Sequence, residues 1–268
     1  MSGKAQNSNK NSDLPLRLVS ALILGTVVLA ITWAGGTYFR ILMGVAALLI
    51  YREWSTITAS SQTPTSINLG SLFVLLGVLA MVFGYDRESM VICGVAAIGL
   101  GVLGVVINGK IWVAGGVIYA LAPAIALAQI RMEPQGLLLI VLIFVIVWGT
   151  DIGAYFAGRS IGGPKLAPAI SPKKTWSGFF GGLIAAIAGS LVLLGYSESV
   201  SIYMPILVVG ILSVASQIGD LFESWIKRRF DVKDSGQLIP GHGGIMDRVD
   251  GLIIVAVAFY GGRMVGLI

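Results

Sequence analysis

Long apolar runs separated by short polar connections extend along most of the 268-residue chain. A helix needs about 20 mostly apolar residues to cross a bilayer. Runs of this kind predict nine membrane-spanning helices, at 18–35, 38–51, 68–84, 90–107, 111–130, 136–157, 177–195, 202–219 and 251–267. The pattern therefore predicts an all-α fold, a polytopic integral membrane helix bundle with about nine transmembrane helices.

Composition supports lipid as the main solvent. Hydrophobic residues make up 56% of the chain and charged residues 12%, whereas soluble domains carry about 25% charge. This balance excludes a water-soluble globule. The single cysteine, Cys93, lies within an apolar run, so an intramolecular disulfide is excluded as well. A polar start followed by many later spans favours an uncleaved first span over a signal peptide.

The basic residues are distributed unevenly between the two sides of the predicted bundle. The N-terminal tail and the even-numbered loops hold 14 of the 18 Lys and Arg residues, and the other side holds four. Because cytoplasmic loops are enriched in Lys and Arg, we predict a multi-pass protein of the inner (plasma) membrane with its N-terminus and large polar loops in the cytoplasm. The basic residues lie between apolar segments, beside lipid headgroups, and we expect no nucleic-acid partner.

Three regions follow from this pattern. Residues 1–16 form a polar cytoplasmic tail, and residues 17–135 form the N-terminal transmembrane helices. Residues 136–268 form a C-terminal transmembrane region whose cytoplasmic loops, 158–176 and 220–250, hold the candidate chemistry.

The first polar segment begins with Asp151, an acid near the end of an apolar run. Intramembrane acids usually serve function, but a structural ion pair with Arg159 is the alternative. Further along, Ser171, Lys173, Lys174 and Thr175 precede a predicted helix, where Lys side chains and backbone amides suit phosphate oxygens. A basic loop resting on anionic lipid explains that second pattern equally well.

The second polar segment concentrates acids and bases within about thirty positions. If a helix continues out of the eighth span, Asp220, Glu223, Ser224 and Lys227 share one face, with Arg228 next to it. The segment then continues with Lys233, Asp234, His242 between glycines, Gly243, Gly244, Asp247, Arg248 and Asp250. Mg²⁺ is bound through one or two carboxylates plus substrate phosphates, so Asp220, Asp247 and Asp250 are candidate ligands. A merely solvated loop is the alternative.

The residues of this segment resemble a known family. The spacing Ser224-x-x-Lys227-Arg228-x4-Lys233-Asp234-x-Gly236-x3-Pro240-Gly241-His242-Gly243-Gly244-x-x-Asp247-Arg248-x-Asp250 is similar to the diagnostic motif of phosphatidate cytidylyltransferases. Gly219–Glu223, Asp151-x3-Tyr155-x2-Gly158-Arg159 and Ser171-Pro172-x-Lys174-Thr175 look like the same family. The N-terminal half resembles it in hydropathy alone. Ser177 stands where the family often has Glu, which argues against an indispensable ligand there.

The resemblance implies a Mg²⁺-dependent transfer from CTP to phosphatidate, giving CDP-diacylglycerol and pyrophosphate. It implies metal ligands at Asp220 and Asp247 first, and at Asp250 and Asp151 second. Phosphates would be bound by Lys227, Arg228 and Arg248, and by Ser171, Lys173 and Lys174 for either the triphosphate or the lipid phosphate. His242 is expected to donate a hydrogen bond to phosphate or to organise the loop, with a role as base left open. The remaining expected substrate-binding residues are Thr175, Ser224, Lys233, Asp234, Gly243 and Gly244.

Two other functions fit parts of the pattern. A related CTP-dependent transferase acting on an isoprenoid ether lipid phosphate would have a similar polar site. A transporter would use Asp151 and glycine-broken spans as an ion pathway, but its charges would lie near the bilayer midplane. The sequence leaves open a second cation beside Mg²⁺ and a homodimer.

Overall fold

The computed structural model describes residues 13–106, 111–195, 206–238 and 243–268. Within these ranges the chain forms nine α-helices, one 3₁₀ turn (Ala59–Ser61) and one short β-hairpin. The helices are α1 (Asp13–Ala34), α2 (Gly36–Ile57), α3 (Pro64–Val82), α4 (Asp86–Val106), α5 (Trp112–Met132), α6 (Gly136–Ser160), α7 (Trp176–Gly195), α8 (Ile206–Arg229) and α9 (Met246–Met264). Each helix coincides with one predicted span, so the prediction of an all-α polytopic membrane bundle is confirmed.

Five helices of the described ranges are long and apolar enough to cross a membrane by length and composition: α3, α5, α6, α7 and α8. Among the other four, α2 contains Arg52 and Glu53 and α9 begins with Asp247 and Arg248. Large apolar side chains point out of the bundle, for example Ile98 (71% exposed) and Ile184 (66% exposed). Such an apolar exterior would be costly in water and is expected in lipid.

Helix α5 lies at the centre of the bundle and packs against α2, α3, α4, α6 and α9. One buried cluster joins α2–α5 to Ile226 on α8 and to Met246 and Ile253 on α9. A second cluster joins α6, α8 and α9 to Phe39 on α2. The N-terminal helices therefore pack against the C-terminal helices and share a hydrophobic core with them.

Helices α6 and α7 pack backbone to backbone through glycines. A Cβ atom added to Gly153 would lie 2.5 Å from the Gly181 carbonyl oxygen, and one added to Gly182 would lie 2.7 Å from the Thr150 carbonyl oxygen. Only small residues permit this approach. The close pair fixes Asp151 of α6 relative to the segment that leads into α7.

The two predicted loops are partly regular in structure. Between α6 and α7, β1 (Lys165–Ala167) pairs antiparallel with β2 (Ser171–Thr175), with Lys165 opposite Thr175 and Ala167 opposite Ser171. In the second loop, α8 continues as far as Arg229, so the condition under which Asp220, Glu223 and Lys227 share one helix face is met. The boundaries of the three predicted regions stay predictions.

Candidate active site

A cavity of about 570 Å³ opens between α6, the β-hairpin, the start of α7 and α8. Its polar lining includes Asp151, Tyr155, Arg159, Lys173, Lys174 and Asp220. Two of the sequence-predicted polar segments thus meet at one cavity. Exposed aromatic side chains surround this region, including Tyr155, Phe156, Trp176 and Phe180. The cavity therefore combines a charged interior with an apolar outer surface.

The β-hairpin and α8 are joined by an ion pair inside the cavity. Lys174 Nζ lies 2.6 Å from Asp220 Oδ2, and 3.5 Å from the Gln217 carbonyl oxygen. Within β2, Lys174 is partly buried while Lys173 beside it is exposed. Both lysines line the cavity, but only Lys174 forms an ion pair with α8 among the described contacts.

The acids of the cavity lie near one another. Asp220 and Asp250 are close enough to Asp151 to repel its carboxylate, and Lys174 attracts it. Arg159, the predicted structural partner of Asp151, donates instead to Tyr155 Oη at 3.0 Å. Within the described ranges, no ion pair joins Asp151 to Arg159. Asp151 is therefore an acid of the cavity wall.

A second charged cluster lies deeper, where α8 meets the start of α9. Lys227 Nζ is 2.7 Å from Asp247 Oδ1 and 3.2 Å from Glu223 Oε2. Glu223 is buried, and within the described ranges its other oxygen, Oε1, accepts no hydrogen bond. The Asp250 carboxyl lies close enough to Glu223 for the two negative charges to repel each other. Glu223 and Asp250 therefore link this cluster to the acids of the cavity.

Asp247 organises the turn that precedes α9. Its Oδ2 accepts hydrogen bonds from the backbone N–H groups of Ser235 and Gly244, both at 2.9 Å, and from Ser235 Oγ at 2.8 Å. Although burial opposes ionisation, the Lys227 hydrogen bond and these backbone donors lower the pKa of Asp247 to about 2. Asp247 lies ahead of the predicted span 251–267 and is ionised at neutral pH.

Two predicted substrate-binding glycines adjoin carboxylates. A Cβ atom at Gly243, where φ is +85°, would lie 2.8 Å from Asp247 Oδ2. A Cβ atom at Gly244 would lie 2.0 Å from Ser235 Oγ. Glycine is therefore required here for the turn itself to close. A ligand-binding role for either glycine stays a prediction.

Other predicted residues have local partners. Thr175 Oγ1 accepts a hydrogen bond from the Gly178 backbone N–H at 3.1 Å and so caps α7. Ser177, which replaces the family's frequent Glu, donates to the Gly162 carbonyl oxygen. Ser224 Oγ lies 3.4 Å from Asp220 Oδ1. Ser171 begins β2, opposite Ala167.

Among the described residues, five predicted ones line the cavity, namely Asp151, Lys173, Lys174, Thr175 and Asp220. Outside that lining, and apart from the charged cluster around Lys227, lie Arg228, Lys233, Asp234 and Arg248. All four are exposed. Lys233 and Asp234 line a shallower cavity of about 400 Å³, together with Thr56 from the end of α2. His242 lies outside the described residues. The phosphate-binding roles of these side chains stay predictions.

Glu53 on α2 is a buried acid that sequence reasoning missed. It accepts hydrogen bonds from Ser235 Oγ and from the backbone N–H groups of Ile245 and Met246. In the sequence, Glu53 stands two positions after the predicted span 38–51. It is an acid in a half of the chain that otherwise resembles the family in hydropathy alone, and this was the one sign of its role. Its distant partners are visible only in the folded chain.

The donor set is suited to a hard cation. In the described part of the chain, no three His, Cys, Asp or Glu side chains form a ready-made metal site. Asp220 and Asp250 nevertheless lie close enough to repel each other, and both offer oxygen alone. Mg²⁺ commonly uses one or two carboxylates and completes its shell with water and substrate phosphates, so these residues fit it.

Similarity to known proteins identifies the family of the chain. A family model described as the Cytidylyltransferase family matches residues 15–263. The chain belongs to this family. A phosphatidate cytidylyltransferase from Brucella suis biovar 1 is 43% identical over 254 residues, which cover 93% of each chain. One from Haemophilus influenzae is 32% identical over 280 residues, covering 92% of this chain and 97% of that protein.

Another relative matches a shorter region more closely. A phosphatidate cytidylyltransferase from Staphylococcus haemolyticus is 49% identical over 122 residues, which cover 45% of this chain. Family membership confirms the predicted resemblance and the prediction of a nucleotidyltransferase, and it disfavours the transporter alternative. The roles of individual site residues are not decided by these similarities.

Proposed function

We propose that this chain is a membrane-embedded phosphatidate cytidylyltransferase, which transfers CMP from CTP to phosphatidate. The observation that carries the proposal is the Lys174–Asp220 pair inside a charged cavity with an apolar aromatic exterior. A reaction between a lipid phosphate and a water-soluble nucleotide requires a site that is open to both the bilayer and water, and a charged cavity with an apolar exterior suits that requirement. The similarity to named phosphatidate cytidylyltransferases across 93% of the chain supports the same reaction.

In the proposed reaction, a phosphate oxygen of phosphatidate forms a bond to the α-phosphorus of CTP. The bond from that phosphorus to the β-phosphate bridging oxygen breaks, and pyrophosphate leaves with the electron pair. The products are CDP-diacylglycerol and pyrophosphate. The attacking phosphate is already ionised at neutral pH, so the site does not require a strong base. It must instead reduce repulsion between two anions and align them.

We propose that the cationic side chains of the site reduce the repulsion between the two anionic substrates. Lys173 and Lys174 would bind the triphosphate or the lipid phosphate, and Arg159 lies on the same cavity wall. Lys227, Arg228 and Arg248 would bind further phosphate oxygens, and His242 would donate a hydrogen bond to phosphate or organise its loop. Positive charge fixed in a partly dry site stabilises developing charge more strongly than it would in water.

Mg²⁺ is the proposed cofactor. Asp220 and Asp250 would hold it, with Asp151 nearby. Asp247, the other first-choice ligand expected from the sequence, contacts Lys227 through Oδ1 and accepts three hydrogen bonds through Oδ2, so it would instead support the turn that leads into α9. The ion would supply positive charge to the phosphates and to the departing pyrophosphate. The assignment is supported by the oxygen-only donors of the Asp220 and Asp250 side chains and by the close packing of α8 on α9 beside Asp220, where a Cβ atom added to Gly219 would lie 2.5 Å from the Asp250 carbonyl oxygen. A second cation and a homodimer stay predictions.

The proposed location is the inner membrane, with the N-terminus and the cavity on the cytoplasmic side. Support comes from the excess of Lys and Arg in the N-terminal tail and the even-numbered loops. CTP would then reach the cavity from the cytoplasm, and phosphatidate would reach it from the bilayer. No nucleic-acid partner is expected.

The test is turnover by the purified full chain in detergent with labelled CTP, phosphatidate and Mg²⁺. We expect one pyrophosphate for each CDP-lipid formed. An isoprenoid ether lipid phosphate is assayed in parallel at the same mole fraction. Conversion of the ether lipid alone would reassign the lipid class, and absence of both products with phosphatidate would refute the proposed function.

A further inference from the structure

Glu53 is a buried carboxylate that reaches from α2 to the turn before α9. It is 6% exposed. Its Oε1 accepts from the Ile245 backbone N–H at 2.9 Å, and its Oε2 accepts from the Met246 backbone N–H at 2.8 Å and from Ser235 Oγ at 3.0 Å. A residue of the N-terminal half thus forms three hydrogen bonds with the C-terminal polar segment.

These bonds serve the N-terminus of α9. The first backbone N–H groups of a helix have no partner inside the helix, and Ile245, at the N-cap position, supplies no side-chain cap. Glu53 provides the missing acceptors from another helix. Its negative charge also suits the positive end of the helix dipole.

The surrounding glycines leave room for this carboxylate. A Cβ atom at Gly244 would lie 2.5 Å from Glu53 Oε2, and one at Gly236 would lie 2.9 Å from Oε1. A side chain at Gly236 or Gly244 would therefore collide with the Glu53 carboxylate. This arrangement holds Glu53 in a single place.

Ser235 connects Glu53 to the charged cluster. Its Oγ is 3.0 Å from Glu53 Oε2 and 2.8 Å from Asp247 Oδ2, so one hydroxyl lies between two carboxylates. Asp247 in turn contacts Lys227 at 2.7 Å. Displacement of Glu53 would be passed through Ser235 and the turn backbone to Asp247 and Lys227.

We propose that Glu53 is a positioning residue for phosphoryl transfer, which holds Ser235 and the start of α9 so that Asp247 and Lys227 keep their alignment. The inference rests on the proposed function. A solely structural role would reduce the amount of folded protein without changing the turnover of each folded molecule. A positioning role lowers kcat of the folded enzyme.

The experiment compares Glu53→Gln, Glu53→Asp and a control, Glu133→Gln, which makes the same chemical change at an acid paired with Arg263 away from the cavity. Glu53→Gln is expected to lower kcat about 10–100-fold at saturating CTP and phosphatidate, as loss of a supporting contact commonly does. Its amide group places an N–H donor against a backbone N–H donor. Glu53→Asp keeps two acceptors and should recover part of kcat, while Glu133→Gln should retain wild-type kcat.

Two further readouts separate the possible outcomes. Combining Glu53→Gln with Ser235→Ala should lower kcat by less than the product of the two single effects, because both changes disturb the same connection from Glu53 through Ser235 to Asp247. Hydrogen exchange of the amides at 245 and 246 should accelerate about tenfold or more in Glu53→Gln and remain unchanged in Glu133→Gln. If Glu53→Gln does not fold, Glu53→Asp replaces it in the combination with Ser235→Ala.

The inference is overturned if folded Glu53→Gln turns over within about twofold of wild type, if the double variant is fully additive, or if neither Glu53 variant folds. The last outcome would assign Glu53 a structural role. Wild-type turnover in the same assay separates this failure from that of the proposed function, because an inactive wild type would refute the function itself.

Discussion

Lys174 Nζ lies 2.6 Å from Asp220 Oδ2, and this contact joins the β-hairpin to the C-terminal half of α8. The two residues belong to polar segments that α7 separates along the chain. Their contact brings the two polar segments together at one cavity. It places a cation and an acid where the phosphates and a metal ion would bind. It also makes Lys174 and Lys173 distinguishable by experiment, although they are neighbours on one strand.

Replacing Lys174 with Met should lower kcat/KM about 100-fold, because Asp220 loses its partner and the cavity loses a fixed positive charge. Lys173→Met is the matched comparison, since it removes the same charge from a lysine that also lines the cavity but is exposed and forms no ion pair with α8 among the described contacts. We expect Lys173→Met to cost less than about tenfold. Steady-state CDP-lipid formation measures both, and equal losses would contradict a distinct role for Lys174.

Asp247→Asn should abolish turnover while the protein remains folded. The amide keeps the size of the side chain but removes the charge that pairs with Lys227 and changes one acceptor oxygen to a donor. Asp231→Asn is the control, because Asp231 is exposed and has φ of +54°, a conformation that Asn also tolerates. Near-normal turnover of folded Asp247→Asn, judged by size-exclusion chromatography and labelled CTP, would remove Asp247 from the site.

Gly153→Ala should destabilise the α6–α7 pair, since its Cβ would lie 2.5 Å from the Gly181 carbonyl oxygen. The expected cost is about 1–3 kcal/mol, as for other overpacked interiors. Gly94→Ala on α4 is the matched control, because a Cβ there meets nothing within 4 Å. Thermal unfolding in detergent measures the difference, and equal midpoints for the two variants would show that the tight packing is not needed.

Chelation of Mg²⁺ should stop turnover, and added Mg²⁺ should restore it. Asp250→Asn should raise the Mg²⁺ concentration for half-maximal rate about tenfold or more, because one carboxylate ligand is lost. Glu88→Gln, at an exposed acid in the first turn of α4, is the control and should leave the Mg²⁺ dependence unchanged. An unaltered Mg²⁺ titration for active Asp250→Asn would exclude Asp250 as a ligand.

The fold was largely predictable because lipid imposes a simple length and polarity rule. Every predicted span coincides with a helix. The sequence left open whether α8 continues beyond its apolar part, and the structure extends it to Arg229. The β-hairpin was not predicted, since its two strands are too short to show an alternating pattern. The sequence pattern predicts only that Ser171 to Thr175 form a basic segment before a helix.

The sequence by itself determined that the chain lies in a membrane, that its chemistry is concentrated in two polar segments, and which family it belongs to. These features depend on composition and on spacing within continuous segments. Only the tertiary structure decided that Lys174 pairs with Asp220, that Lys227 lies between Glu223 and Asp247, and that Glu53 holds the turn before α9. Contacts such as these depend on how separate helices pack, and no local pattern of hydrophobic and polar residues records which distant carboxylate a buried N–H group will meet.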